Sequence, residues 1–168
     1  MNTVYNNIRS HSKLSGRQGL TLMEIMATVA ILVVSIVGSL QAFIYVSSLS
    51  ETNKNTMIAL TKAQSKMEEI HDHTYSAITT DYASGGTPGN KFSLTKSNDG
   101  LDGMGVIYID SSNASLLTIE IVVCWRNKET RIIGEDKDLD GVLDAGEDTD
   151  GNGKISSKVT LISYLAQR

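Results

Sequence analysis

"GLTLMEIMATVAILVVSIVG", Gly19 to Gly38, carries a single carboxylate, Glu24, in a run otherwise suited to lipid. On its amino-terminal side, residues 1–19 contain Arg9, Lys13 and Arg17 and no acidic side chain. On its other side the apolar character continues, and Glu24 is the only charged side chain between Leu20 and Val46. At about 1.5 Å of rise per residue, that stretch makes a helix of about 40 Å, whereas about 20 apolar residues suffice to cross a hydrocarbon core. The pattern predicts a membrane-spanning helix over 20–46 behind a basic leader, 1–19. Basic residues stay on the cytoplasmic side, so the expected orientation is N-in, C-out. A cleaved secretory signal has an apolar region of only about 7 to 15 residues, which leaves an uncleaved signal anchor as the plain reading. Against it stands Gly19 at the basic-to-apolar boundary, with Glu24 the fifth residue beyond. A carboxylate at the centre of a membrane helix costs roughly 2.5 to 3.5 kcal/mol, and less near an end, so its presence points to a function.

The 168-residue chain leaves room for one globular head, expected over 47–168. Its formal charge is −4, yet residues 135–152 hold eight acidic side chains against one basic, Lys137, so the remainder is net positive. The acidity is local. Basic residues are dispersed, aromatic residues are few and no glycine loop has phosphate-cradling spacing, which excludes nucleic-acid binding as an expectation. Cys124 is the only cysteine and rules out an internal disulfide.

Gly19-Leu20-Thr21-Leu22-Met23-Glu24 resembles the precursor signature of the type IV pilin and pseudopilin superfamily: Gly, then Phe, Leu or Met, then Thr-Leu-Xaa-Glu and an apolar stretch. Leu20 stands where Phe is commoner, and a 19-residue leader is long for the simplest type IVa pilins. The resemblance implies cleavage between Gly19 and Leu20 by a prepilin peptidase facing the cytoplasm, and methylation of the new amine on Leu20. It further implies residence in the bacterial inner membrane, engagement of an inner-membrane assembly platform, and packing with other pilin or pseudopilin subunits in a filament. In that family Glu24 would neutralise the Leu20 amine of a neighbouring subunit, each charge satisfying the other in lipid. "AQSKMEEI", Ala63 to Ile70, is similar to the equivalent stretch of PilV-type minor pilins.

Between Glu51 and His73, Leu60, Ala63, Met67 and Ile70 recur at spacings of three and four among Lys62, Lys66, Glu68 and Glu69. This predicts an amphipathic helix continuing out of the membrane and packing on a sheet. His71 and His73, two apart, diverge on a helix and are expected at a solvated helix end rather than on a metal. "SGGTPGN" and "SNDGLDGMG" predict loops. "GVIYID" and "SLLTIEIVVCWR" predict strands, the second with Leu117, Ile119, Ile121, Val123 and Trp125 on its only buried face. "ETRIIG" and "KVTLISYLAQ" predict two more, so the expected fold is α+β: a long amino-terminal helix on an antiparallel sheet of about four strands. Cys124 alternates away from the hydrophobic face and is expected semi-buried. No nucleophile elbow or histidine-paired nucleophile is present, so catalysis is not expected.

"DKDLDGVLDAGE", Asp136 to Glu147, fits the calcium-loop template Asp-x-Asp-x-Asp-Gly followed by five residues and Glu. Calcium takes six to eight hard oxygens, and this spacing offers Asp136, Asp138, Asp140, the Val142 carbonyl, Asp144 directly or through water, and bidentate Glu147. It resembles an EF-hand loop without flanking helices. Asp148, Asp150, Asn152, Gly153, Lys154 and Ser156 repeat the early spacing, but Val159 stands at the twelfth position. The repeat either completes the first ion's shell or holds a second, weaker ion. Together these features predict a minor pilin or pseudopilin of a type IV pilus with a calcium-stapled head. A type II secretion pseudopilin would share them, and a calcium-binding surface protein on an uncleaved anchor is the reading from another class.

Overall fold

The computed structural model describes residues 21–127 and 131–167, so the leader, Gly19 and Leu20 lie outside the described residues. The chain divides into two compact units, Met1–Tyr45 and Val46–Arg168. Helix α1, Leu22–His71, has residues in both.

In the first unit every described side chain is exposed, among them Leu32, Ile36, Leu40 and Phe43. This part of α1 is long and apolar enough to cross a membrane. Its hydroxyls are satisfied locally, Ser35 Oγ donating to the Ile31 carbonyl and Ser39 Oγ to the Ser35 carbonyl, both at 2.8 Å. Back-bonding of this kind lets serine sit in a helix without an outside partner. Glu24 lies in the first turn, and its N–H donates to Thr21 Oγ1 at 3.2 Å, the hydroxyl half of a capping box.

In the second unit α1 becomes amphipathic and buries Ala59, Ala63, Met67 and Ile70, with Leu60 partly buried beside them. Two short helices follow around a strand: α2, Tyr75–Asp81, then β1, Lys91–Leu94, then α3, Lys96–Asp99. The sheet is completed by β2, Gly103–Asn113; β3, Leu116–Asn127; β4, Arg131–Ile133; and β5, Val159–Ala166. All pairings are antiparallel: β1 on β2, β2 on β3, and both β4 and β5 along the far side of β3. The architecture is the α+β arrangement expected, with five strands among the described residues.

Leu117, Ile119, Ile121, Val123 and Trp125 join the helix residues in one core, where β5 adds Val159 and the partly buried Leu161 and Leu165. Burying each Leu, Ile or Val contributes roughly 1.5 to 3 kcal/mol, so this stripe holds the helix to the sheet. Phe92 of β1 lies opposite Gly105, and a Cβ at Gly105 would collide with its ring. Among the described residues the Trp125 indole N–H has no hydrogen-bond partner.

Three expectations are corrected. The loop "SNDGLDGMG" contains most of α3 and the start of β2, with Asp99 pairing to Lys62 of α1 at 2.6 Å. His73 is half-buried, edge-on to Tyr82 with ring centroids 5.2 Å apart, because α2 folds back beside the end of α1; His71 stays exposed and meets Ser163 Oγ at 3.0 Å. β3 is buried on both faces from Ile121 to Trp125, and Cys124 is 1% exposed rather than semi-buried. Its outward residues form a second small core of Val106, Val122, Cys124 and Ile155, packed by Met104, Tyr108, Leu139 and Leu143. Leu139, Leu143 and Ile155 belong to the acidic segment, which therefore lies over the sheet's outer face.

Candidate metal centre

Residues 134–158 contain no helix or strand, and what shapes them is their own polar chemistry. In the first loop Asp136 Oδ2 accepts the Gly141 N–H at 2.9 Å and Asp136 Oδ1 the Asp140 N–H at 3.2 Å. Asp140 Oδ1 accepts the Val142 N–H at 2.6 Å. Glu147 closes the loop, its Oε1 accepting the Lys137 N–H at 2.7 Å and its Oε2 the Asp144 N–H at 3.1 Å. Leu139 and Gly141 have φ of 62° and 74°, so the chain turns inward twice within three residues. Left-handed backbone costs an L-residue roughly 1 to 2 kcal/mol, which Leu139 tolerates while packed on the outer core.

This arrangement brings the first-loop carboxylates together. Oxygens of Asp136, Asp138 and Glu147 lie within 4.8 Å of one another, as do those of Asp138, Asp140 and Asp144. Calcium–oxygen distances of roughly 2.3 to 2.6 Å put opposed ligands about 5 Å apart, so the clusters are tight enough to hold a metal ion. Asp136 is 0% exposed and Glu147 6%. Burial pushes the Asp136 carboxyl above the usual range, against the pull of the backbone N–H groups it accepts. Among the described residues no Lys, Arg or His forms an ion pair with any of the eight acids of 135–152. Lys137 donates to the Gly146 carbonyl and Lys91 to the Asp140 carbonyl instead.

The second loop repeats the first. Asp148 Oδ2 accepts the Gly153 N–H at 3.1 Å, and Asn152 Oδ1 accepts the Lys154 N–H at 2.7 Å, as Asp136 accepts the Gly141 N–H and Asp140 the Val142 N–H in the first. Gly151 and Gly153 have φ of 76° and 73°, matching Leu139 and Gly141. Ser156 Oγ donates to Asp150 Oδ2 at 2.8 Å, which holds that carboxylate beside Asn152.

The carboxylate missing at Val159 comes from Glu135. Its Oε1 accepts the Thr149 N–H at 2.8 Å and its Oε2 the Ser156 N–H at 2.9 Å. These are the second and ninth positions of the loop, the same two that Glu147 caps in the first. Glu135 is 8% exposed and groups with Asp148 and Asp150 within 4.8 Å. Hydrogen bonds from the Thr149 hydroxyl and from backbone N–H groups hold its carboxyl below the usual range, although burial opposes them. Sequence reasoning missed Glu135 because it precedes both loops. Its signal is a repeated Glu-Asp, Glu135-Asp136 and Glu147-Asp148, at a period of twelve.

His71 and His73 stand in none of these groups. Known protein families, curated proteins and solved structures offer no match to this chain.

Proposed function

We propose that the protein is a pilin-like filament subunit of the minor pilin or pseudopilin kind, with a head held by calcium. The observation that carries this reading is α1, whose residues in the first unit are apolar and exposed, and whose residues in the second bury Ala59, Ala63, Met67 and Ile70 on an antiparallel sheet. Such a helix serves two solvents in turn, lipid before assembly and neighbouring helices after it, while its head stays in water. The subunit would enter the inner membrane N-in, C-out, lose residues 1–19 to a prepilin peptidase between Gly19 and Leu20, and assemble through an inner-membrane platform with other pilin subunits. Glu24 would then neutralise a neighbour's Leu20 amine.

The metal reading is calcium, since every donor is a hard oxygen. One ion would take Asp136, Asp138, Asp140, the Val142 carbonyl, Asp144 and Glu147. A second would take Asp148, Asp150, Asn152, the Lys154 carbonyl and Glu135, with Ser156 directly or through water. Both ions would be structural.

Mass spectrometry of the amino terminus, on protein made in cells containing prepilin peptidase, tests the reading. We expect a mature chain beginning at Leu20 with a methylated amine. Recovery of only the full-length chain would leave an uncleaved anchor and end the filament proposal.

A further inference from the structure

Among the described residues, the core on the outer face of the sheet includes no helix residue. Val106, Val122 and Cys124 are at most 2% exposed because the acidic segment covers them, through Leu139, Leu143 and Ile155. The polar contacts that tie that segment down among the described residues include the Lys91 ammonium, which donates to the Asp140 carbonyl at 3.1 Å. The segment's two ends meet where the Glu135 N–H donates to the Ser156 carbonyl at 2.9 Å. Ser157 Oγ donates to the Val123 carbonyl at 2.6 Å, the Ile155 N–H to the Tyr108 hydroxyl at 2.9 Å, and Lys154 pairs with Glu120 at 3.1 Å. Against these contacts stands the crowding of carboxylates without basic partners. Two unit charges 4 Å apart repel by about 1 kcal/mol even in water, and several such pairs fall within each loop. A divalent ion in each loop reverses the sign of that interaction.

Resting on the calcium reading above, we infer that residues 134–158 form a cation-locked cover. With calcium bound, it seals the outer face of β2 and β3. When calcium is withdrawn, it lifts and exposes an apolar strip of Val106, Val122 and Cys124, while the main core beneath α1 stays closed. The two cores share β3 but lie on opposite faces of it, so one can open without the other. The head would then present a closed outer face only where calcium is plentiful.

Cys124, the only cysteine, reports on the cover directly. Full-length protein in detergent micelles is treated with a thiol reagent at 1 mM calcium and again with a chelator. Calcium binding is measured by calorimetry, and helix and sheet content by circular dichroism, on the same preparation. With a dissociation constant of about 10⁻⁴ M, one ion at 1 mM lowers the open fraction about elevenfold, so chelation is expected to speed labelling at least tenfold with the secondary-structure signal retained. Leu143→Ala, which removes apolar cover but no carboxylate, is expected to label faster than the parent at 1 mM calcium with the same number of ions bound. Binding heat with an unchanged labelling rate in both proteins overturns the cover and leaves the calcium reading standing. Labelling that rises only with loss of the circular dichroism signal also overturns it, since the head would then open as a whole. Absence of binding heat at millimolar calcium overturns both.

Discussion

Glu135 and Glu147 do the same work from different places in the chain. Each accepts the N–H of a loop's second residue on one oxygen and of its ninth on the other. Glu147 ends the loop it closes, and Glu135 stands thirteen residues before the one it closes. Adjacent residues therefore serve different loops twice, at Glu135-Asp136 and Glu147-Asp148, so an ion in either loop fixes backbone belonging to both. Calorimetry is expected to find two calcium ions per chain, and one after Glu135→Gln, the amide being unable to supply a charged bidentate ligand. Glu147→Gln is expected to weaken both ions, because Glu147 directly precedes Asp148, the first residue of the second loop. An unaltered two-ion isotherm for Glu135→Gln would remove that residue from the ligand set.

At the scale of elements, α1 and β3 are joined by apolar contacts along the main core and by one polar clasp at its end. The Asn55 amide donates to Asn127 Oδ1 at 3.0 Å, and the Asn127 amide to Thr52 Oγ1 at 3.2 Å. Both asparagines are buried, so this clasp fixes how far along the sheet the helix sits. A slip by one turn would break it, whereas the Leu and Ile contacts could re-form with new neighbours. Asn127→Ala leaves the Asn55 amide buried without its acceptor, and its expected cost is about 1 to 3 kcal/mol. Asn55→Ala removes the donor and leaves Asn127 similarly stranded. In urea unfolding the double variant is expected to cost clearly less than the sum of the two, the mark of residues that depend on each other. Simple additivity would mean that the amides act independently and that the core alone sets the register.

For the whole molecule, the decisive charge is Glu24, at the start of a helix that is otherwise apolar for more than twenty residues. Its place in the first turn gives it a local use, since a carboxylate there complements the helix dipole and Thr21-x-x-Glu24 has capping-box spacing. Glu24→Gln separates that use from the proposed pairing between subunits: glutamine serves a capping box equally but cannot neutralise an amine. Processing is expected to proceed in the variant, while its amount in sheared filaments falls severalfold. Parental amounts in filaments would leave Glu24 with only its capping role.

The sequence by itself determined the elements whose periodicity is long enough to read. Both halves of α1 and the inward stripe of β3 follow from spacing alone, because apolar residues at three and four, or at two, have few ways to be buried together. Lys91–Leu94 escaped because four residues carry too little alternation. They form a strand only through pairing with β2, from Lys91 opposite Val106 to Leu94 opposite Gly103. Tyr75–Asp81 is similarly too short for a helical period to stand out. Only tertiary structure decided the burial of Cys124 and the partner of the second loop. Both depend on a segment without regular structure lying across the sheet, and no local pattern dictates where such a segment rests. Its position is set by contacts between residues far apart in the chain: Ile155 on Val106 and Val122, and Glu135 reaching Ser156.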